Sequence, residues 1–136
     1  MIELTRLWER LYVGDRNDAE RLGQSNPSGI TSIVSLCEEQ VPRRNYAINY
    51  EHIPIADRKP IRVGQFDAIL TELTDNIRWG TVLIHCDSGV SRAPIMAAAW
   101  MHLVGYKNID AALREIARLR PITPSKTLLS SVMRHL

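Results

Sequence analysis

Two runs dominated by β-branched and aliphatic side chains mark the chain, residues 30–36 (ITSIVSL) and 81–85 (TVLIH). Runs of that length read as strands buried on both faces of a sheet, the second of them central. Residues 11–14 (LYVG) read as a third short strand, followed by a short helix that Asp15 or Asn17 can cap and that runs through Leu22 to a stop at Gly23. Residues 50–55 (YEHIPI) alternate as a strand does, and Pro54, with no N–H to give a ladder, confines them to a sheet edge or closes the strand.

Helical periodicity takes over between and after these runs. Phe66, Ile69, Leu70, Leu73 and Ile77 recur at i, i+3, i+4, i+7 and i+11, so residues 63–77 form an amphipathic helix that Gly80 ends. Residues 93–104 (APIMAAAWMHLV) are apolar nearly all round, as a helix in the middle of a domain is. Two more helices follow: residues 109–119 with Asn108 as cap, and 125–135 with Thr123 as cap and Pro124 at the first helical position. Strands interleaved with helices, then a helical C-terminal third, predict an α/β fold: one domain over residues 1–136, with a central, mostly parallel sheet flanked by helices.

Composition narrows the function classes. A 136-residue chain with 45% apolar and 24% charged residues builds a core without help, burying roughly two-thirds of its unfolded surface. Two cysteines make no disulfide framework and no zinc tetrad, so neither a structural metal nor a cofactor is expected. A net charge of +2 is far from the basic face of a nucleic-acid binder. The opening MIELTRLWER alternates apolar and charged residues, unlike a signal peptide, and no run of 18 apolar residues occurs, so the cytoplasm and no membrane partner are expected.

Both cysteines have an arginine six positions on: Cys37 with Arg43, and Cys86 with Arg92. With fourteen arginines in the chain the spacing alone is weak, and context decides. CEEQVPR puts two carboxylates where a phosphate dianion would sit, offers no glycine and loses a donor at Pro42, so it is rejected as a phosphate site. HCDSGVSR lies between the TVLIH strand and the apolar helix. Its small Ser88, Gly89 and Ser91 let Asp87, Ser88, Gly89, Val90 and Ser91 curl their N–H groups inward, a helix N-terminus adds positive dipole, and Arg92 offers a planar fork for two phosphate oxygens. The same field favours the Cys86 thiolate, making it a nucleophile at neutral pH. Asp87 is expected to point outward, because an inward carboxylate repels phosphate.

H-C-x-x-G-x-S-R after a strand resembles the signature of the cysteine-dependent dual-specificity protein phosphatases, within the protein tyrosine phosphatase superfamily. LYVGDRNDA resembles that family's opening strand and helix, ITSIVSLCEE its second strand, IPIADRKP its general-acid loop and LRPITPS the segment entering its last helix. The resemblance implies a metal-free, two-step mechanism. Cys86 attacks phosphorus to give a phosphocysteine, Arg92 clamps the phosphoryl oxygens, and Asp57 protonates the leaving oxygen and then activates water. His85 orients and polarises the loop. The expected substrates are phosphoproteins or phosphopeptides bearing phosphotyrosine and, through a cleft with no added loops, phosphoserine or phosphothreonine. Where the family carries Ser or Thr after the arginine, this chain has Ala93, so a slow-turnover or phosphate-binding module is the alternative, beside a phosphatase of non-protein phosphomonoesters.

Other residues have two readings. Cys37 is a buried small hydrophobe or, as the resemblance implies, a redox partner that closes a disulfide onto Cys86. Asp57 is otherwise a plain loop aspartate, and Asp15, Asp67, Asp75 and Asp110 read as helix-surface or cap residues. Arg43, Arg44, Arg58, Lys59 and Arg62 form a cationic rim or a solvated loop. His52, His102 and His135 are expected to be structural, and Trp8, Trp79 and Trp100 to pack in or beside the core.

Overall fold

A computed structural model describes residues 4–42 and 45–136. Five strands form one sheet: β1 (Thr5–Trp8), β2 (Leu11–Gly14), β3 (Ile30–Ser35), β4 (Asn49–His52) and β5 (Thr81–His85). Their order is β1-β2-β5-β3-β4, with β1 antiparallel to β2 and every other pair parallel. The mostly parallel α/β architecture anticipated from the strand-helix alternation is therefore present, with β5 at its centre and the Pro54-limited β4 at one edge. The helices are α1 (Arg16–Arg21), α2 (Val63–Trp79), α3 (Arg92–Leu103), α4 (Ile109–Leu119) and α5 (Lys126–His135).

Strand alternation divides the core in two. Val82, Ile84 and Cys86 face the larger cluster with Val34 and Leu36, under α2, α3, α4 and α5. Leu83 faces the smaller cluster with Ile33 and Cys37, under Ala19 and Leu22 of the α1 segment. Helix α3 lies at the heart of the larger half: Ala97, Ala98 and Ala99 are fully buried, and such small side chains let neighbouring elements approach closely.

Three details depart from the sequence reading. Strand β1 was not expected: the opening residues were read only as unlike a signal peptide, although their alternation fits an edge strand in which Leu7 alone is buried. The cap of α5 is Ser125 rather than Thr123: Ser125 Oγ accepts from the Leu128 N–H at 3.3 Å, while the Thr123 N–H is drawn to Val90 O at 2.8 Å. Trp79 does not pack in the core but stands 87% exposed at the end of α2, whereas Trp8 and Trp100 meet edge to face at 5.4 Å.

Candidate active site

Cys86 follows the last residue of β5, at the C-terminal edge of the parallel strands, where α/β sheets place their sites. Its thiol is buried, and the Ala93 N–H, in the first turn of α3, donates to Sγ at 3.4 Å. The loop from Asp87 to Ser91 wraps between strand and helix. Gly89 has φ +70°, a left-handed conformation that disfavours side chains, and a Cβ there would stand 2.5 Å from Arg120 Nη2 and 2.9 Å from Gly14 O. Glycine is required by backbone and space together.

Arg92 opens α3. Its Nη1 donates to Ile55 O at 3.1 Å and its Nη2 to Asp87 Oδ2 at 3.0 Å. Asp87 is exposed, but its carboxylate does not point away from the loop as expected: it folds back onto the guanidinium of the same loop. Its carbonyl accepts from the Arg16 N–H at 3.0 Å, which pins the loop to the start of α1. Ser88 is exposed, and Val90 holds the Thr123 segment through its carbonyl.

His85 is buried beneath the loop. Burial, the largest cause, lowers its pKa from 6.5 to about 4, so the ring is neutral at physiological pH. Nδ1 lies 3.2 Å from Cys86 O, a group that can only accept, so the ring proton belongs on Nδ1. Nε2 then accepts from the Ser35 hydroxyl at 2.6 Å. The ring fixes the Cys86 carbonyl and has no proton to exchange with anything outside.

Asp57, in the turn after β4, comes to the loop through Ser91. The Ser91 hydroxyl donates to Asp57 Oδ1 at 2.9 Å and accepts from the Ser125 N–H at 2.9 Å. A backbone N–H can only donate, so the single Ser91 proton is left for Asp57. The neighbouring Arg58 takes φ 61°, an uncommon conformation for a non-glycine residue.

Cys37 lies two positions beyond the end of β3, where the register Ser35↔His85 brings it beside the loop. Beyond the strand ends it packs in the smaller cluster while Cys86 packs in the larger, and its Sγ donates to Glu39 O at 3.2 Å. Burial pushes its thiol pKa up. Arg58, Lys59 and Arg62 are exposed, while Arg43 and Arg44 lie outside the described residues. His52, His102 and His135 bond to Cys37 O, the Ile109 N–H and Ile61 O, as structural histidines do. Asp15 caps α1, and Asp67, Asp75 and Asp110 are exposed on their helices.

Three groups around the site were missed in the sequence. Arg120 is 4% exposed, and its Nη1 donates to Val13 O at 3.0 Å and to Thr5 Oγ1 at 3.3 Å, under Gly89. Ser35 fixes the His85 ring, and the Ile55 carbonyl fixes Arg92. The available signal for Arg120 was an arginine directly after an amphipathic helix and before Pro121, which a surface reading absorbs easily.

A family model described as "PTP-SAK: Swiss Army Knife protein, DSP-PTPase phosphatase domain" matches residues 10–135. Human dual specificity protein phosphatase 15 is 32% identical over 114 residues, covering 82% of this chain and 38% of its own length. The chain spans between 31% and 38% of the length of the curated relatives it matches first. The solved structure of DUSP15 superposes with a TM-score of 0.80 at 25% identity, covering 98% of this chain and 84% of that one. A mouse putative dual specificity phosphatase complexed with zinc tungstate superposes with a TM-score of 0.83 at 20% identity, covering 97% and 85%. No helix among the described residues is long and apolar enough to cross a membrane.

Proposed function

The chain belongs to the PTP-SAK family of DSP-PTPase phosphatase domains, and on that premise we propose that it hydrolyses phosphomonoesters of proteins, phosphotyrosine and also phosphoserine or phosphothreonine, through a phosphocysteine. The observation that carries the reading is the meeting of three groups from two segments: the Cys86 thiol at the helix N-terminus and the Arg92 guanidinium of one loop, and the Asp57 carboxylate tied to that loop by Ser91. Cys86 attacks phosphorus, and the bond to the leaving oxygen breaks as Asp57 Oδ2 delivers a proton to it. The N–H groups of residues 87–91 and the Arg92 fork hold the three equatorial oxygens as charge builds on them. Asp57, now a base, takes a proton from water, which attacks phosphorus and returns the thiolate.

Residue replacement tests this directly. Cys86→Ser and Arg92→Ala are each expected to lose about a hundredfold or more of the hydrolysis of an aryl phosphate with the fold retained, since single losses of transition-state stabilisers have that size. Near-normal hydrolysis by either variant refutes the mechanism.

A second reading rests on Ala93. It is fully buried and offers Cys86 only its backbone N–H, where the family carries a hydroxyl to help sulfur leave in the second step. On that reading the protein captures a phosphoryl group and releases it slowly. Steady-state release of phosphate over many turnovers separates the two.

A further inference from the structure

Arg92 has an internal partner on Nη2, one arm of the fork proposed to clamp phosphate. The Asp87 carboxylate, 3.0 Å from Nη2, neutralises the cation and stands within Coulomb reach of an arriving dianion. A second cation waits on the opposite side of the same carboxylate: Arg16 Nη1 lies 4.0 Å from Oδ1, the oxygen that Arg92 does not hold. The Asp87 backbone is fastened to the Arg16 N–H at 3.0 Å, so the side chain can change partner by rotation while its main chain stays put. The outer surroundings are acidic. Arg16 is shared with Glu20 at 3.2 Å and Glu39 at 3.6 Å, so three carboxylates surround one guanidinium just outside the loop.

We propose that Asp87 is a tethered competitor for Arg92, handed over to Arg16 when a phosphoryl group enters, and that it selects phosphopeptides with a basic residue beside the phosphorylated one. The proposal rests on the phosphatase reading and deepens it. A plain phosphomonoester displaces one carboxylate and gains one guanidinium. A substrate with a second anion close to the first brings further charge against carboxylates that Arg16 alone cannot balance. A lysine or arginine on the substrate supplies the missing partner.

Inorganic phosphate and two phosphotyrosine peptides, one with Arg and one with Glu next to the phosphotyrosine, serve as probes. Asp87→Asn keeps the shape of the side chain and is expected to bind phosphate about two- to fivefold more tightly in calorimetry, the size of a half-exposed ion pair. Wild type is expected to favour the Arg peptide in kcat/KM, and Asp87→Asn to bring the ratio of the two peptides toward one. Arg16→Gln is expected to weaken phosphate binding in the wild-type background and to change little in Asp87→Asn, a non-additivity that a residue acting independently does not give. Equal phosphate affinity in wild type and Asp87→Asn, an unchanged peptide ratio, or an additive double variant overturns the proposal while leaving the phosphatase reading intact. No phosphate binding by any form overturns both.

Discussion

Replacing Ser91 by alanine removes one hydroxyl and two hydrogen bonds, with different consequences on each side. Toward Ser125 it leaves the N–H at the start of α5 without its acceptor at 2.9 Å, a cost to stability of about 1–3 kcal/mol. Toward Asp57 it removes a hydrogen bond to a carboxylate, worth about 2 kcal/mol in holding the acid in place. If that energy is spent keeping Oδ2 directed at the leaving oxygen, its loss corresponds to about thirtyfold in rate wherever the leaving group needs a proton. An alkyl phosphate needs one; a nitro-substituted aryl phosphate leaves as a stable anion and does not. The assay is therefore kcat/KM on both substrates for wild type, Ser91→Ala, Asp57→Ala and the double variant. Ser91→Ala should fall about thirtyfold on the alkyl substrate and by less than about threefold on the aryl one. The double variant should match Asp57→Ala on the alkyl substrate, because Ser91 acts through Asp57. Equal losses on both substrates, or a double variant much worse than Asp57→Ala, refute the reasoning and leave Ser91 as a bracket for α5 only.

Ala93→Ser is expected to speed phosphocysteine breakdown, seen as a higher steady-state rate and a smaller pre-steady-state burst; no burst in wild type and no gain in the variant remove Ala93 as the limiting feature. His85, neutral when folded with its pKa lowered to about 4, takes a proton on unfolding anywhere between that value and 6.5, so its contribution is complete above pH 6.5 and is lost as pH falls to 4. That is about 3 kcal/mol in all, checked by urea unfolding at pH 7 and 5 together with imidazole resonances that stay in the neutral form at pH 5. Mild peroxide is expected to oxidise Cys86 to the sulfenic acid, and attack by the Cys37 thiol then expels water and forms a disulfide that a thiol reductant reopens. An intact mass lacking the loss of two hydrogens returns Cys37 to packing alone.

Sequence patterning made the sheet and helices legible wherever one periodicity prevailed: TVLIH and ITSIVSL as buried strands, Phe66 to Ile77 as one face of α2, Asn108 as the cap of α4. It failed where tertiary pairing overrode a local signal. Thr123 and Pro124 look like a helix start, but the Thr123 N–H is claimed by Val90, thirty-three positions earlier, and the cap passes to Ser125. The loop was readable because the chemistry packs its residues into one stretch of chain. Its supports were not, because Ser35, Ile55 and Arg120 act through groups that every chain has many of, a hydroxyl, a carbonyl and a buried guanidinium, and only the fold brings them to the loop. The expectation that Asp87 points outward failed, because no one-dimensional pattern says that an exposed carboxylate turns back to its own loop's arginine.

The segment from Arg120 to Ser125 ties the loop to both ends of the described chain. Arg120 reaches Thr5 and Val13, Thr123 reaches Val90, and Ser125 reaches Ser91. On the ribosome this sets a timetable. When residue 92 has left the exit tunnel the nascent chain already carries the nucleophile, the acid and the arginine, yet Gly89 has no guanidinium beneath it and the Ser91 hydroxyl is not yet oriented by the Ser125 N–H. The contacts that brace the loop are thus complete only after about thirty further residues have emerged, which at 5–20 residues per second is a delay of a few seconds.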